Sequence, residues 1–415
     1  MKIVFFTDFY RPDVNGVSAA VELTASGLRT LGHQVYIVAP AAAKPTPDDH
    51  PDVIRLPSTP GVWYKDMRDG IITPKFAKRI KELNADIYHF HTNGVTGIGG
   101  MRLMFSLNMP AVAHYHTDYE EYAKIYRGMW AGILMASLVG PLVVGKQEHW
   151  PESLQGVRPR RSLKEWNDNM VRNLIRLSYE YFATVIVPSE KMKTKLQSYG
   201  VTRPIEVLPT GLDTSELTEP TPHTVHEPFE LLYVGRISRE KNIDVVIDTI
   251  KVLNQRGCNC HLTLVGPGPH YLTTIRHRIR DEGLNRYITV TGGVPRKRAL
   301  SYYAQADAFV FPSLTDTQAL VLNEAAYSGL PLIFSDPEIS PYIAQDKHTG
   351  LLVQADSTSY ADAIEYLTHH PRIAARLGRT AQARASQLTI AHQAKLLEKI
   401  YQQAIKHHVS YEETV

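Results

Sequence analysis

Apolar residues arrive along this chain in two alternating rhythms. Short unbroken runs (KIVFFT from Lys2, QVYIVAP from Gln34, DIYHFH from Asp86, PAVAHYH from Pro110, TVIVPS from Thr184) have the length and continuity of strands buried on both faces of a parallel sheet. Between the first two, Val17, Val21, Leu28 and Leu31 recur at helical spacing until Gly32 stops the pattern. The rhythm restarts with ELLYVGR, HLTLVGPG, YITVTGG, AFVFPS and PLIFSD, separated by helical segments such as IDVVIDTIKVLNQRG. Strand and helix in alternation, twice over, predict an α/β protein of two doubly wound, Rossmann-like domains. The Thr- and Pro-rich stretch at 214–228 has no period and reads as a linker, which divides the chain into 1–210 and 211–385. The closing segment, 386–415, puts Leu397, Ile400, Tyr401 and Ala404 on one helical face that caps one domain or the other.

Composition narrows the class. A chain of 415 residues is too long for one ordinary core. Its 43% hydrophobic and 21% charged residues are those of a soluble globular protein, and a net charge of +3 gives no footprint for nucleic acid. Cys258 and Cys260 are the only cysteines, too few for a thiolate metal site or a disulfide framework, so a reducing, cytoplasmic compartment is expected. The opening MKIVFFTDFY reads as a first strand rather than a signal peptide.

In open α/β sheets ligands bind beyond the carboxyl ends of the strands, and two such domains facing each other would leave a cleft there. The unusual residues lie at those ends. After the first strand, Gly16 and Val17 open a helix whose N-terminus suits an anion. This is no G-x-G-x-x-G loop, which argues against a dinucleotide reductase. His116 ends the strand PAVAHYH, with His114 on the same face, and is a candidate catalytic residue. The acids that follow it fix no three-ligand geometry, so no metal is expected. Arg236 and Lys241 end the first strand of the second half and predict a phosphate site, while Gly266 and Gly268 after the next strand let backbone approach a ligand. Asp316 falls in a loop before a helix whose first amides, Gln318, Ala319, Leu320 and Val321, are expected at phosphate. Glu324, farther along that helix, could accept two ribose hydroxyls. Together these would bracket a nucleotide sugar.

The order of motifs resembles a GT-B glycosyltransferase of family 4. Carrying it are Asn15-Gly16-Val17, His116-Thr117, Pro188-Ser189-Glu190, Pro209 to Asp213, Gly235 to Asn242, Val265 to Pro269, and Asp316 to Pro331. The family's usual Glu-x7-Glu is here Asp316 and Glu324, with Ala319 where glycine is common. The resemblance implies two Rossmann-like domains and a retaining hexosyl transfer from a nucleotide sugar without a metal; no D-x-D occurs in the chain. Arg236 and Lys241 would neutralise the leaving diphosphate, and His116 would contact the donor sugar. HYHTDYEEYAKIY at His114 to Tyr126 and IRLPSTPGVWYKDMR at Ile54 to Arg68 are similar to bacterial diacylglycerol glucosyltransferases. That implies UDP-glucose as donor, 1,2-diacylglycerol as acceptor, and a role in making glycolipid and lipoteichoic-acid anchors. Transfer to an existing glycolipid, a lipid-linked oligosaccharide or another soluble acceptor, and a silent GT-B partner subunit, remain alternatives.

One further segment fits a lipid acceptor. From Gly128 to Gly145 the chain carries no charge, but Gly132, Gly140 and Pro141 interrupt it, so a membrane span is not expected. Lys146, Arg158, Arg160, Arg161 and Lys164 follow, with Trp130, Trp150 and Trp166 interleaved. This predicts peripheral docking of 126–176 on the anionic inner face of the cell membrane, with Trp130, Arg158, Arg160, Arg161 and Lys164 at the contact. The oligomeric state is not legible.

Overall fold

The computed structural model describes residues 1–12, 15–43, 46, 49–61, 68–125, 129–215, 217, 226–268 and 271–412. Most of the linker read at 214–228 lies outside the described residues, as do 62–67, Tyr126 to Gly128 and Pro269. The chain forms two compact units, Met1–Gly211 joined by the segment from Ile390 onward, and Leu212–Thr389.

In the first unit the strands are β1 (Lys2–Phe6), β2 (Gln34–Pro40), β3 (Val53–Leu56), β4 (Ser58–Pro60), β5 (Arg68–Gly70), β6 (Ile87–Phe90), β7 (Ala111–His114), β8 (Thr184–Val187) and β9 (Ile205–Val207). Seven make one parallel sheet in the order β3-β2-β1-β6-β7-β8-β9, while β4 and β5 pair antiparallel beside it. Successive side chains of a strand face opposite ways. Ile3 and Phe5 therefore enter one core while Val4 and Phe6 enter another, and both sheet faces are covered. The helix Ile390–Glu412 belongs to this unit: Leu397, Ile400, Tyr401 and Ala404 are buried with Val21, Ala25 and Leu28 of the helix Gly16–Thr30.

In the second unit β10 (Phe229–Val234), β11 (Cys260–Val265), β12 (Ile288–Gly292), β13 (Ala308–Phe311), β14 (Leu332–Phe334) and β15 (Gly350–Leu352) form a parallel sheet ordered β12-β11-β10-β13-β14-β15. Its core runs through Leu231, Tyr233, Leu262, Leu264, Phe309 and Ile333. In each sheet the strand order reverses once, between β1 and β6 and between β10 and β13. Chain leaving neighbouring strands there diverges, which opens a crevice at their carboxyl ends.

Candidate functional site

In the second unit the crevice between β10 and β13 collects the predicted charged residues. Arg236 follows β10 and pairs through Nη2 with Glu240 at 2.9 Å. Lys241 ends a single 3-10 turn, Arg239–Lys241, and donates through Nζ to Asp316, which comes from the loop after β13. Ser313 donates to the other oxygen of Asp316, and Ser238 donates to Glu240 at 2.7 Å. Both cations thus stand at the crevice with their charge already balanced by a carboxylate. An arriving diphosphate would compete with those acids rather than meet bare charge.

Gly266 and Gly268 have a packing role. Gly266 adopts φ +148°, and a Cβ there would lie 1.9 Å from the Gly235 carbonyl; one on Gly268 would lie 2.2 Å from that of Ile237. The Ile237 amide donates to the Pro267 carbonyl at 2.8 Å. The loops after β10 and β11 run backbone against backbone, and only glycine permits that approach.

Gln318 and Ala319 precede the helix Leu320–Tyr327, which begins at Ala319 without a side-chain cap and includes Val321. Glu324 lies inside it, buried, with one oxygen accepting from Arg296 Nη1 and the other from the Tyr303 hydroxyl, each at 2.8 Å. Burial pushes the ionisation of that hydroxyl well up, so it remains a donor. Each carboxylate oxygen retains a second lone pair, which leaves capacity for a ligand hydroxyl. The neighbouring Asn323 is also buried, with neither amide atom hydrogen-bonded.

The first unit's crevice, between β1 and β6, is built on Asp8, which the sequence reading did not single out. Its buried carboxylate accepts from the Thr92 hydroxyl at 2.5 Å and from the amides of Gly94 and Thr96 at 2.9 and 2.7 Å. Asp8 therefore caps the helix Val95–Leu107 from a distant strand, and burial raises its pKa against those hydrogen bonds. A Cβ on Gly94 would lie 2.7 Å from the carboxylate. The visible signal was an acid directly after β1 together with a glycine-bearing helix start after β6.

His116 stands at the end of a four-imidazole ladder. His89 Nε2 meets His114 Nδ1 at 2.8 Å, His91 Nδ1 meets His116 Nε2 at 2.9 Å, and His89 Nδ1 meets the Tyr401 hydroxyl at 2.6 Å. Rings of His89 and His91 stack at 4.2 Å, those of His114 and His116 at 4.6 Å. Burial lowers every one of these pKa values, His116 to about 4, so near neutral pH His116 is an uncharged hydrogen-bonding group. Ring nitrogens of His89, His91 and His114 lie within 4.8 Å of one another, close enough to share a metal ion. One ring nitrogen each of His89 and His114 is engaged with the other, and His91 Nδ1 is engaged with His116. His89 and His91 were legible in DIYHFH, by the same alternation that marked His114 and His116.

At the first helix, Asn15 accepts from the Ser18 amide at 2.9 Å while Ser18 Oγ accepts from the Asn15 amide at 3.1 Å, a reciprocal cap. Gly16 borders open space, and Val17 packs partly against the core. In the charge-free region, the helix Met129–Val144 carries Met135, Val139, Leu142 and Val143 exposed along one side. Arg158, Arg160, Arg161 and Lys164 are exposed, whereas Trp130 packs against the core. Among the described residues no helix is long and apolar enough to cross a membrane.

Two family models match consecutive parts of the chain: Glycosyltransferase Family 4 over residues 14–216 and Glycosyl transferases group 1 over residues 217–384. An alpha-monoglucosyldiacylglycerol synthase of Acholeplasma laidlawii is 23% identical over 97% of this chain and 96% of its own. One of Streptococcus pneumoniae is 26% identical over 89% and 79%. Among solved structures, a sucrose-phosphate synthase of Thermosynechococcus elongatus superposes with a TM-score of 0.73 at 20% identity, covering 98% of this chain and 99% of that one. The Anabaena protein HepE in complex with UDP gives 0.70 at 17% identity, covering 97% and 100%.

Proposed function

We propose, from the premise that this chain belongs to the glycosyltransferases and combines a family 4 domain with a group 1 domain, that it glucosylates a membrane lipid. The donor would be UDP-glucose and the acceptor 1,2-diacylglycerol, with retention at the anomeric carbon. The observation that carries the lipid acceptor is the outward apolar side of Met129–Val144, followed along the chain by the exposed Arg158, Arg160, Arg161 and Lys164. Exposed apolar side chains next to basic ones suit the interface of an anionic bilayer. The full-length likeness to two glucosyldiacylglycerol synthases supports the same reading.

In the reaction the bond between the anomeric carbon and the diphosphate oxygen breaks as charge gathers on the diphosphate. Arg236 and Lys241 leave Glu240 and Asp316 to stabilise it, a preorganised electrostatic contribution. The acceptor hydroxyl bonds to the anomeric carbon on the face the diphosphate leaves, and its proton passes to a phosphate oxygen. Asp316, freed of Lys241, is available to sugar hydroxyls. His116, neutral, offers a hydrogen bond to the donor sugar. Glu324 serves the ribose with its remaining lone pairs.

The test measures UDP release from UDP-glucose with and without dioleoylglycerol in mixed phosphatidylglycerol and phosphatidylcholine vesicles, with the product anomer read by NMR. UDP release that requires the lipid, with an α-glucoside product, is expected; release indifferent to lipid refutes the acceptor. Vesicle co-sedimentation should rise with phosphatidylglycerol and fall with salt. Each basic residue near anionic lipid is worth about 1 kcal/mol, so reversing Arg158, Arg160 and Arg161 to glutamate should weaken partitioning by at least about a hundredfold. Binding indifferent to lipid charge and to these substitutions excludes this surface.

A further inference from the structure

The helix Met129–Val144 is apolar on its inner side, Ser137 apart, as well as on its outer one. Ile133, Ala136, Gly140 and Val144 line a cavity of about 90 Å³ together with Met101 and Val171. A helix apolar all round belongs inside a protein or against lipid, yet this one is backed by a void on one side and faces solvent on the other. Atoms lining an apolar void forfeit dispersion contacts, and such cavities stay dry and accept apolar guests. An apolar cavity of about 150 Å³ takes up benzene, so this smaller one suits a few methylenes of a single alkyl chain.

The wall of the cavity is not apolar throughout. Asn93 reaches it from just beyond β6, two residues past His91, and both of its side-chain amide atoms are buried without a hydrogen-bond partner. Buried amides without partners are rare in proteins, and one that borders an empty cavity is explained by a polar group of the guest. Asn93 therefore joins the carboxyl end of the sheet, where Asp8 and His116 stand, to the apolar interior.

We propose that this cavity holds the ester-proximal methylenes of one acyl chain of the lipid acceptor, with the ester hydrogen-bonded to Asn93. The assignment rests on the glycolipid reading above and adds to it a specificity site. A diacylglycerol ester lies next to the glycerol carbon that bears the free hydroxyl, so an ester at Asn93 keeps that hydroxyl at the strand ends. The volume admits a few methylenes of one chain; the rest of that chain and the whole of the second stay in the bilayer.

Two variants fill the cavity. Gly140→Leu adds a side chain where a Cβ meets no atom within 4 Å, and Ala136→Phe enlarges a lining residue. Circular dichroism melting establishes that each is folded. The first measurement is cis-parinaric acid fluorescence on the full-length protein without vesicles: saturable binding to wild type is expected, weakened at least tenfold in both variants. The second compares acceptor KM for dioleoylglycerol and dihexanoylglycerol. The filled variants should show a raised KM for both acceptors with kcat little changed, while co-sedimenting with vesicles as wild type does. Parinarate binding that is absent in wild type, or equal in the filled variants, overturns the cavity assignment even if dioleoylglycerol is glucosylated. Parinarate binding lost on filling, with no transfer to any diacylglycerol, instead overturns the acceptor reading and with it the source of the chain.

Discussion

Replacing Glu324 by alanine removes the acceptor of two hydrogen bonds at once, and the two losses differ in cost. Tyr303 is fully buried, so its hydroxyl, deprived of a charged acceptor at 2.8 Å, loses about 1–3 kcal/mol. The Arg296 side chain is half exposed and can turn to water; that ion pair contributes at most about 1 kcal/mol. The sum, about 1–4 kcal/mol, lowers the melting temperature of a domain of this size by roughly 2–16 °C. A Tyr303→Phe background removes the larger component, so the same alanine substitution should then cost about 1 kcal/mol, and the double-mutant cycle isolates the coupling. The second readout is the donor. If Glu324 also holds the ribose, remote from the reacting bond, donor KM rises more than kcat falls. UDP should also protect the variant less than wild type against melting. A folded variant that melts as wild type does refutes the buried-acceptor argument, and an unchanged donor KM removes Glu324 from the donor site.

Arg236→Ala and Lys241→Ala should each lower kcat on the order of 10²–10³-fold, measured as UDP release; wild-type kcat in both would remove this crevice from the diphosphate. Asp316→Ala should be nearly inactive and Asp316→Glu active or altered in donor choice, whereas full activity of the alanine variant would leave Asp316 only a partner of Lys241. Gly266→Ala forces a Cβ to within 1.9 Å of the Gly235 carbonyl and should yield little folded protein; normal expression and melting would contradict the backbone contact. Burial holds His89, His91, His114 and His116 below the ordinary 6.5, so the unfolded chain binds more protons as pH falls through that value. Their contribution is whole above pH 6.5 and declines below it. The slope approaches about 1.4 kcal/mol per pH unit for each imidazole, ending near pH 4 for His116, so the urea midpoint should drop between pH 7.5 and 5.5. An unchanged midpoint would mean the ladder is open to water.

The long strands were legible because each is a continuous apolar run flanked by turn residues, and β1, β2, β10 and β11 fall where those runs lie. The short outer strands were not. β9 is Ile205-Glu206-Val207 and β15 is Gly350-Leu351-Leu352, each three residues long, and three residues carry no period. Charged residues at strand ends were visible as types, but their partners were not. Lys241 and Asp316 stand 75 residues apart and meet because β10 lies beside β13. Glu324 reads locally as a carboxylate free for a ligand; Arg296 and Tyr303 reach it from the two ends of a preceding helix, Arg296–Tyr303, a matter of tertiary packing. Asp8 was hidden for a similar reason, its work being done on a helix start 84–88 residues away.

The helix Ile390–Glu412 gives this chain an inverted order of assembly. On the ribosome, Val21, Ala25 and Leu28 emerge early, but Leu397, Ile400 and Tyr401, which cover them, come after the whole of Leu212–Thr389. At roughly 5–20 residues per second, that interval is on the order of ten to forty seconds. The second domain, contiguous in sequence, can close its core within this time, while the first waits with an apolar face uncovered and His89 without the Tyr401 hydroxyl. The domain begun first is the domain finished last, and during synthesis it is the one a chaperone would need to shield.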